Sequence, residues 1–173
     1  MVYVLAYPEF EPSVAKNIAR FRSAYEPERA KLVPPHVTLV FGLVNVHPPE
    51  FVAFCEKVAE SAHVLEADFV ATEIVHDPFE DMHKLFLLIS TGKDDLTALH
   101  ERLYRGPHQS ELHPTIPYRP HMTTATHADR AIIQRLDESA IGTLPISGII
   151  HALEVVELVD KTLSSLRSIP LRQ

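Results

Sequence analysis

The sequence predicts an α+β fold in which two largely antiparallel sheets flank a central cleft, with helices outside. Three observations carry this. Short β-rich runs alternate with amphipathic helical stretches. The order helix, strand, helix, two strands occurs twice along the chain. The first strand of each set opens with Pro-His-x-Thr, and the two copies lie about half the chain apart. Residues 1–173 therefore read as one bilobal domain with pseudo-repeat halves of about 1–90 and 91–173.

Each element follows from its residues. Val2 to Tyr7 is a first strand, rich in β-formers and closed by Pro8. Val14, Ile18, Phe21 and Tyr25 recur at helical spacing, with Pro27 just past the end. Pro34 and Pro35 lead into a strand from His36 to Phe41, which Gly42 ends. A helix from about Pro49 carries Phe51, Cys55 and Val58 on one side. Two extended runs follow, Ala67 to Val75 and Leu85 to Ser90, joined by the turn-like HDPFEDMH. In the second half, Leu96, Leu99 and Leu103 share a helix face that starts near Asp94 and stops at Gly106-Pro107. A Pro-rich connection reaches the strand His121 to Thr126. A further helix, with Ile132, Ile133 and Leu136 inward, runs to about Ser139. The extended runs Ile146 to Val159 and Leu166 to Leu171 close the chain.

The composition, 46% hydrophobic and 23% charged, is that of an ordinary soluble globular protein. A formal net charge of −7 argues against holding long duplex nucleic acid by bulk electrostatics, which takes a basic surplus. A single phosphate needs only a few local donors. Cys55 is the only cysteine and lies on an apolar helix face, so it reads as core. The N-terminus lacks the basic start and cleavage site of a signal peptide, and no apolar run reaches membrane-spanning length, so a cytoplasmic, membrane-free monomer is expected.

The chemistry sits in His36-Val37-Thr38 and His121-Met122-Thr123. On a strand, side chains alternate between faces, so His36 and Thr38 share one face, roughly 7 Å apart, while Val37, Leu39 and Phe41 face the core. A phosphate-sized group spans that distance. Two imidazoles facing each other across a cleft suit general acid–base catalysis near neutral pH. One activates the attacking oxygen and the other protonates the leaving oxygen on the far side. The threonine hydroxyls donate to the non-bridging oxygens, where charge builds. The scheme needs no metal and no cofactor. A third His-x-Thr, His113-Pro114-Thr115, lies among prolines where no regular strand runs, and reads as loop.

The paired HVTL (His36 to Leu39) and HMTT (His121 to Thr124) on a duplicated chain resemble the 2H phosphoesterase superfamily, whose bacterial members are called LigT-like or 2′-5′ RNA ligase proteins. The closing LVDKTLSSLRSIPL resembles that family's final hairpin. The resemblance implies that His36 and His121 are the catalytic pair, with His36 the acid and His121 the base in hydrolysis, and that Thr38 and Thr123 hold the phosphate. It implies metal-free action on a 2′,3′-cyclic phosphate, a related cyclic diester or a 2′-5′ linkage, with a cyclic nucleotide or an RNA 3′-end as substrate. Thr124 departs from the family, which more often has an aliphatic residue there. A non-catalytic nucleotide or RNA-end binding module on the same fold is the alternative from another class.

Around the pair, Arg119 stands two before His121 and is a candidate phosphate clamp. Tyr7 reads as an edge residue. Lys16, Arg20, Arg22, Arg29 and Lys31 make a modest basic surface on the first helix and its exit, read as a solvated face. The other histidines show no metal-ligand spacing.

Overall fold

The structure, a computed structural model, describes residues 1–173. Its strands are β1 (Val2–Ala6), β2 (Glu9–Phe10), β3 (Val37–Leu43), β4 (Leu65–Asp77), β5 (Met82–Ile89), β6 (His121–His127), β7 (Ile146–Ile150), β8 (Ala152–Val159) and β9 (Thr162–Pro170). The helices are α1 (Pro12–Tyr25), α2 (Pro27–Leu32), α3 (Pro48–Ala59), α4 (Lys93–Leu103) and α5 (Arg130–Ile133), with 3₁₀ turns at Pro107–Glu111 and Glu138–Ala140.

Local chemistry accounts for the helices. Pro12 opens α1, the Glu11 carboxylate accepts from the Ser13 and Val14 amides, and Pro27 prevents its continuation. In α3, Phe51, Cys55 and Ala59 fall at i, i+4 and i+8 and are all buried. Gly92 precedes α4 at φ 80°, and a Cβ there would lie 2.1 Å from the Glu66 carbonyl oxygen, so only glycine fits.

Every strand pairing within the sheets is antiparallel. One sheet has the order β3-β1-β8-β9 and the other β2-β7-β4-β5-β6. A lobe is thus not a contiguous half of the chain. The first sheet takes β1 and β3 from the first half and β8 and β9 from the second, while β4 and β5 of the first half pair with β6 and β7. The main hydrophobic core runs from Val4 and Val37 to Phe69, Leu85 and Met122, joining both sheets, and Leu5, Val33 and Val156 form a small second cluster.

Three expected elements differ. The closing strand expected from Leu166 already starts at Thr162, because the turn before it is only Asp160-Lys161, both at positive φ. The run Ile146 to Val159 is two strands, because the chain leaves one sheet for the other at His151: β7 pairs with β4 and β8 with β1. The helix expected to reach Ser139 ends at Ile133, and Ile132, expected inward, is exposed. Asp129 caps it and Asp137 starts a separate 3₁₀ turn, so two short caps replace one long helix.

Candidate active site

Both His-x-Thr strands lie at the edge of their sheets. In the β1–β3 pairing Thr38 faces Leu5 and Val40 faces Val4, which makes Leu39 an extra, bulged residue. In the β5–β6 pairing Thr123 faces Phe86 and Ala125 faces Leu85, which makes Thr124 the extra one. The same bulge therefore follows the threonine of each motif. It turns two consecutive side chains inward: Leu39 and Val40 are both fully buried, as are Thr124 and Ala125. The next residue is less buried in both strands, Phe41 exposed and Thr126 half-buried. This corrects the sequence reading of Phe41, which is 47% exposed rather than core, because the bulge breaks simple alternation. Thr124 keeps its hydroxyl satisfied by donating to the Leu85 carbonyl at 3.2 Å, so a polar residue is tolerated at that buried position.

The two histidines are held alike. His36 Nδ1 lies 2.8 Å from the Pro34 carbonyl oxygen, and His121 Nδ1 lies 2.7 Å from that of Arg119. A carbonyl only accepts, so Nδ1 carries the hydrogen in each ring and the neutral lone pair sits on Nε2. Phe86 stacks on His121 at 3.6 Å and 20°. Tyr7 meets His36 edge-on at 6.4 Å, and so lies against the site rather than at a remote edge. Thr38 and Thr123 are half-buried on the same strands, and β3 and β6 are in contact.

Burial pushes the His36 imidazole down to about 4, with the charges of Arg22, His121 and Arg29 adding to the effect and the Pro34 hydrogen bond opposing it. Burial likewise lowers His121 to about 4, helped by Lys84 and Arg119 and opposed by the Arg119 carbonyl and Asp77. Both residues are half-buried. Both are neutral at pH 7.

The nearby cations are already paired. Arg119, the expected clamp, is exposed and its guanidinium pairs with Glu73, which faces Phe86 across β4 and β5. What it gives His121 directly is its backbone carbonyl. Lys84, opposite Thr126, is buried and pairs with Asp77 and Glu80 (3.0 Å), and Glu80 also pairs with Arg29. Sequence reasoning passed over Lys84; a lysine inside the apolar run KLFLLI was the available signal. Arg22, read as solvated, is 2% exposed. It pairs with buried Glu26 and donates to the Val33 carbonyl at 2.9 Å, while the Thr126 hydroxyl donates to Glu26 at 3.4 Å. Helix α1 crosses β6, and that packing buries the side of α1 carrying Arg22.

His113 and Thr115 lie on the loop, away from any strand. His76 and His83 approach to 5.1 Å, and no group of three or more His, Cys, Asp or Glu side chains is arranged to hold a metal ion. Cys55 is buried and its thiol is pushed up to about 12 by burial, the behaviour of a core residue. No helix is long and apolar enough to cross a membrane.

Two His-x-Thr couples, on equivalent bulged edge strands of two antiparallel sheets, define a 2H phosphoesterase architecture. The family model described as the 2′-5′ RNA ligase superfamily matches residues 10–162, and the chain belongs to that superfamily. Among solved structures, TT0787 of Thermus thermophilus is 21% identical with a TM-score of 0.62, covering 98% of both chains. Apo E. coli LigT is 16% identical with a TM-score of 0.58, covering 99% of this chain and 97% of LigT. Usb1 of Kluyveromyces marxianus is 12% identical with a TM-score of 0.55, covering 98% and 97%. These likenesses establish the shared fold. LigT has also been solved with NADP+, ATP, 3′-AMP and phosphate. No curated protein sequence matches this one.

Proposed function

We propose that the protein is a phosphodiesterase that opens a 2′,3′-cyclic phosphate, or a related cyclic diester, on a nucleotide or RNA end without a metal ion. The observation that supports this best is the duplication of one device: a bulged strand, an imidazole tethered through Nδ1 to the carbonyl two residues earlier, and a hydroxyl two residues later. In this reading His121 Nε2 removes a proton from water as its oxygen bonds to phosphorus. The opposite P–O ester bond breaks, and His36, protonated at Nε2 from solvent once the anionic substrate is bound, delivers that proton to the departing oxygen. Thr38 and Thr123 donate to the non-bridging oxygens as charge gathers on them. The product is a phosphomonoester with a freed ribose hydroxyl.

Exposed Phe41 offers an aromatic surface beside the couple for a base. The acidic chain suits one short RNA end or a nucleotide rather than a long duplex, and the same reading has it act as a cytoplasmic monomer. Cyclic nucleotides, ADP-ribose cyclic phosphate and 2′-5′ dinucleotides, assayed with chelator present, test the substrate class. His36→Ala and His121→Ala are each expected to lower turnover by about 10²–10⁴-fold. Full turnover by both variants would refute the mechanism, and binding of these ligands by the wild-type protein without turnover would favour a pure binding module.

A further inference from the structure

The outer edge of β3 is not paired with another strand, yet its polar backbone groups at the motif are met by side chains from elsewhere. The Tyr118 hydroxyl donates to the Thr38 carbonyl at 3.1 Å. His100, buried on α4, donates from Nδ1 to the Leu39 carbonyl at 2.7 Å. The Phe41 amide donates to the Tyr104 hydroxyl at 3.1 Å. The rings of His100 and Tyr118 stack almost parallel, 3.8 Å apart at 5°. These partners engage the bulge that follows Thr38, where a free edge would leave backbone groups unsatisfied.

Tyr118 is also next to the other motif. It precedes Arg119, whose carbonyl accepts from His121 Nδ1. One residue thus holds the first couple through its hydroxyl and the second through the three peptide bonds that lead to His121. The connection before it is anchored as well, since Glu111 accepts from the Val44 amide at 2.7 Å and the Asn45 amide at 3.1 Å. Tyr118 therefore closes a short span fixed at one end to β3 and at the other to the two residues that follow β3.

We propose that Tyr118, held by the His100 ring, is a positioning residue that sets the spacing between the two imidazole–hydroxyl couples. It touches no reacting atom. In-line transfer needs base and acid on opposite sides of phosphorus at once, and an error of about 1 Å in such an arrangement costs about 10²-fold. The inference rests on the phosphodiesterase reading above, and it has a readout independent of activity.

The test compares wild type with Tyr118→Phe, which keeps the stacked ring and loses only the hydroxyl. His100→Asn is the second variant, keeping a donor toward Leu39 and losing the stack. Turnover is measured on a nucleoside 2′,3′-cyclic phosphate, whose leaving alkoxide needs a proton, and on p-nitrophenyl thymidine phosphate, whose leaving group does not. Tyr118→Phe is expected to lower kcat on the cyclic substrate about 10-fold or more, with KM within about 3-fold and a several-fold smaller loss on the aryl ester. Equal losses on both substrates, or none, would overturn the proposal. In ¹⁵N spectra of the ligand-free protein, Tyr118→Phe should shift the ring signals of both His36 and His121. Unmoved signals in a folded variant would also overturn it. A wild-type protein inactive on both substrates sinks the enzymatic reading instead, and the spectra still decide whether Tyr118 links the two rings.

Discussion

Titrating His36 and His121 with and without a bound anion tests how a site with two neutral imidazoles supplies an acid. Both rings sit near 4 in the free protein, chiefly through burial. A phosphodiester brings one negative charge between them. At about 4 Å and an effective dielectric constant of about 20, a unit charge contributes about 4 kcal/mol. At 1.36 kcal/mol per unit, that raises an adjacent imidazole by about 3 units, to near 7. Only one ring benefits fully, because the second proton would meet the first across the cleft. In the proposed mechanism the substrate would thus recruit its own general acid and leave the other imidazole as base.

The consequence is a separation of two pH profiles. Because kcat/KM reports free-enzyme groups, it should fall tenfold per pH unit above about 4 to 5. Because kcat reports the complex, it should hold up to about 7 before falling. Rates on a cyclic nucleotide from pH 4 to 9 check this directly. A ¹⁵N titration of the two rings gives the underlying values, with sulfate as an anion whose charge is constant over the range. The reasoning fails if kcat/KM is flat to pH 7, or if the free rings titrate near 6.5 and sulfate does not move them.

Two further outcomes follow from packing. Leu39→Ala should cost about 2–5 kcal/mol in urea unfolding, as for a fully buried leucine, whereas Phe41→Ala should cost much less and instead raise KM for a nucleotide substrate. A loss at Phe41 matching that at Leu39 would place its ring in the core and contradict the bulge. Arg22→Met should destabilise by about 3–5 kcal/mol, because it strands the buried Glu26 carboxylate, whose pKa burial already raises despite the Arg22 charge. The double variant Arg22→Met, Glu26→Leu should recover most of that loss, and a double variant no more stable than the single would contradict the account.

The strand faces, the helices with clear apolar stripes and the four motif residues were legible because each rests on a local period. Val37 and Met122 point inward and His36, Thr38, His121 and Thr123 share the opposite face, as two-residue alternation requires. What was hidden depended on residues distant in sequence. The bulges at Leu39 and Thr124 exist only against β1 and β5, so alternation carried one residue too far and sent Phe41 inward. Arg22 looked like one cation among several because its burial comes from β6, about a hundred positions away. Arg119 was placed near the site by its spacing, but not the partner that occupies it, since Glu73 comes from β4. Tyr7 shows the same limit: its strand was plain, and its contact with His36 was not.

The exchange between the halves has a mechanical meaning. Each His-x-Thr strand is an edge strand, the least constrained position in a sheet, and the proposed in-line mechanism would need it fixed. Helix α1 lies between β1 and β3 in sequence yet packs on β6, and α4 lies between β5 and β6 yet packs on β3. Each half therefore contributes the strand of one couple and the brace of the other. The first brace is charged, with Glu26, held by Arg22, accepting from Thr126 on β6; the second is aromatic, with His100, Tyr104 and Tyr118 reaching Thr38, Leu39 and Phe41. Were the two halves independent lobes, the distance between the imidazoles would vary with every lobe motion. Crossed bracing ties that distance to side-chain packing in both halves, so a change on either helix is felt at the couple carried by the opposite sheet.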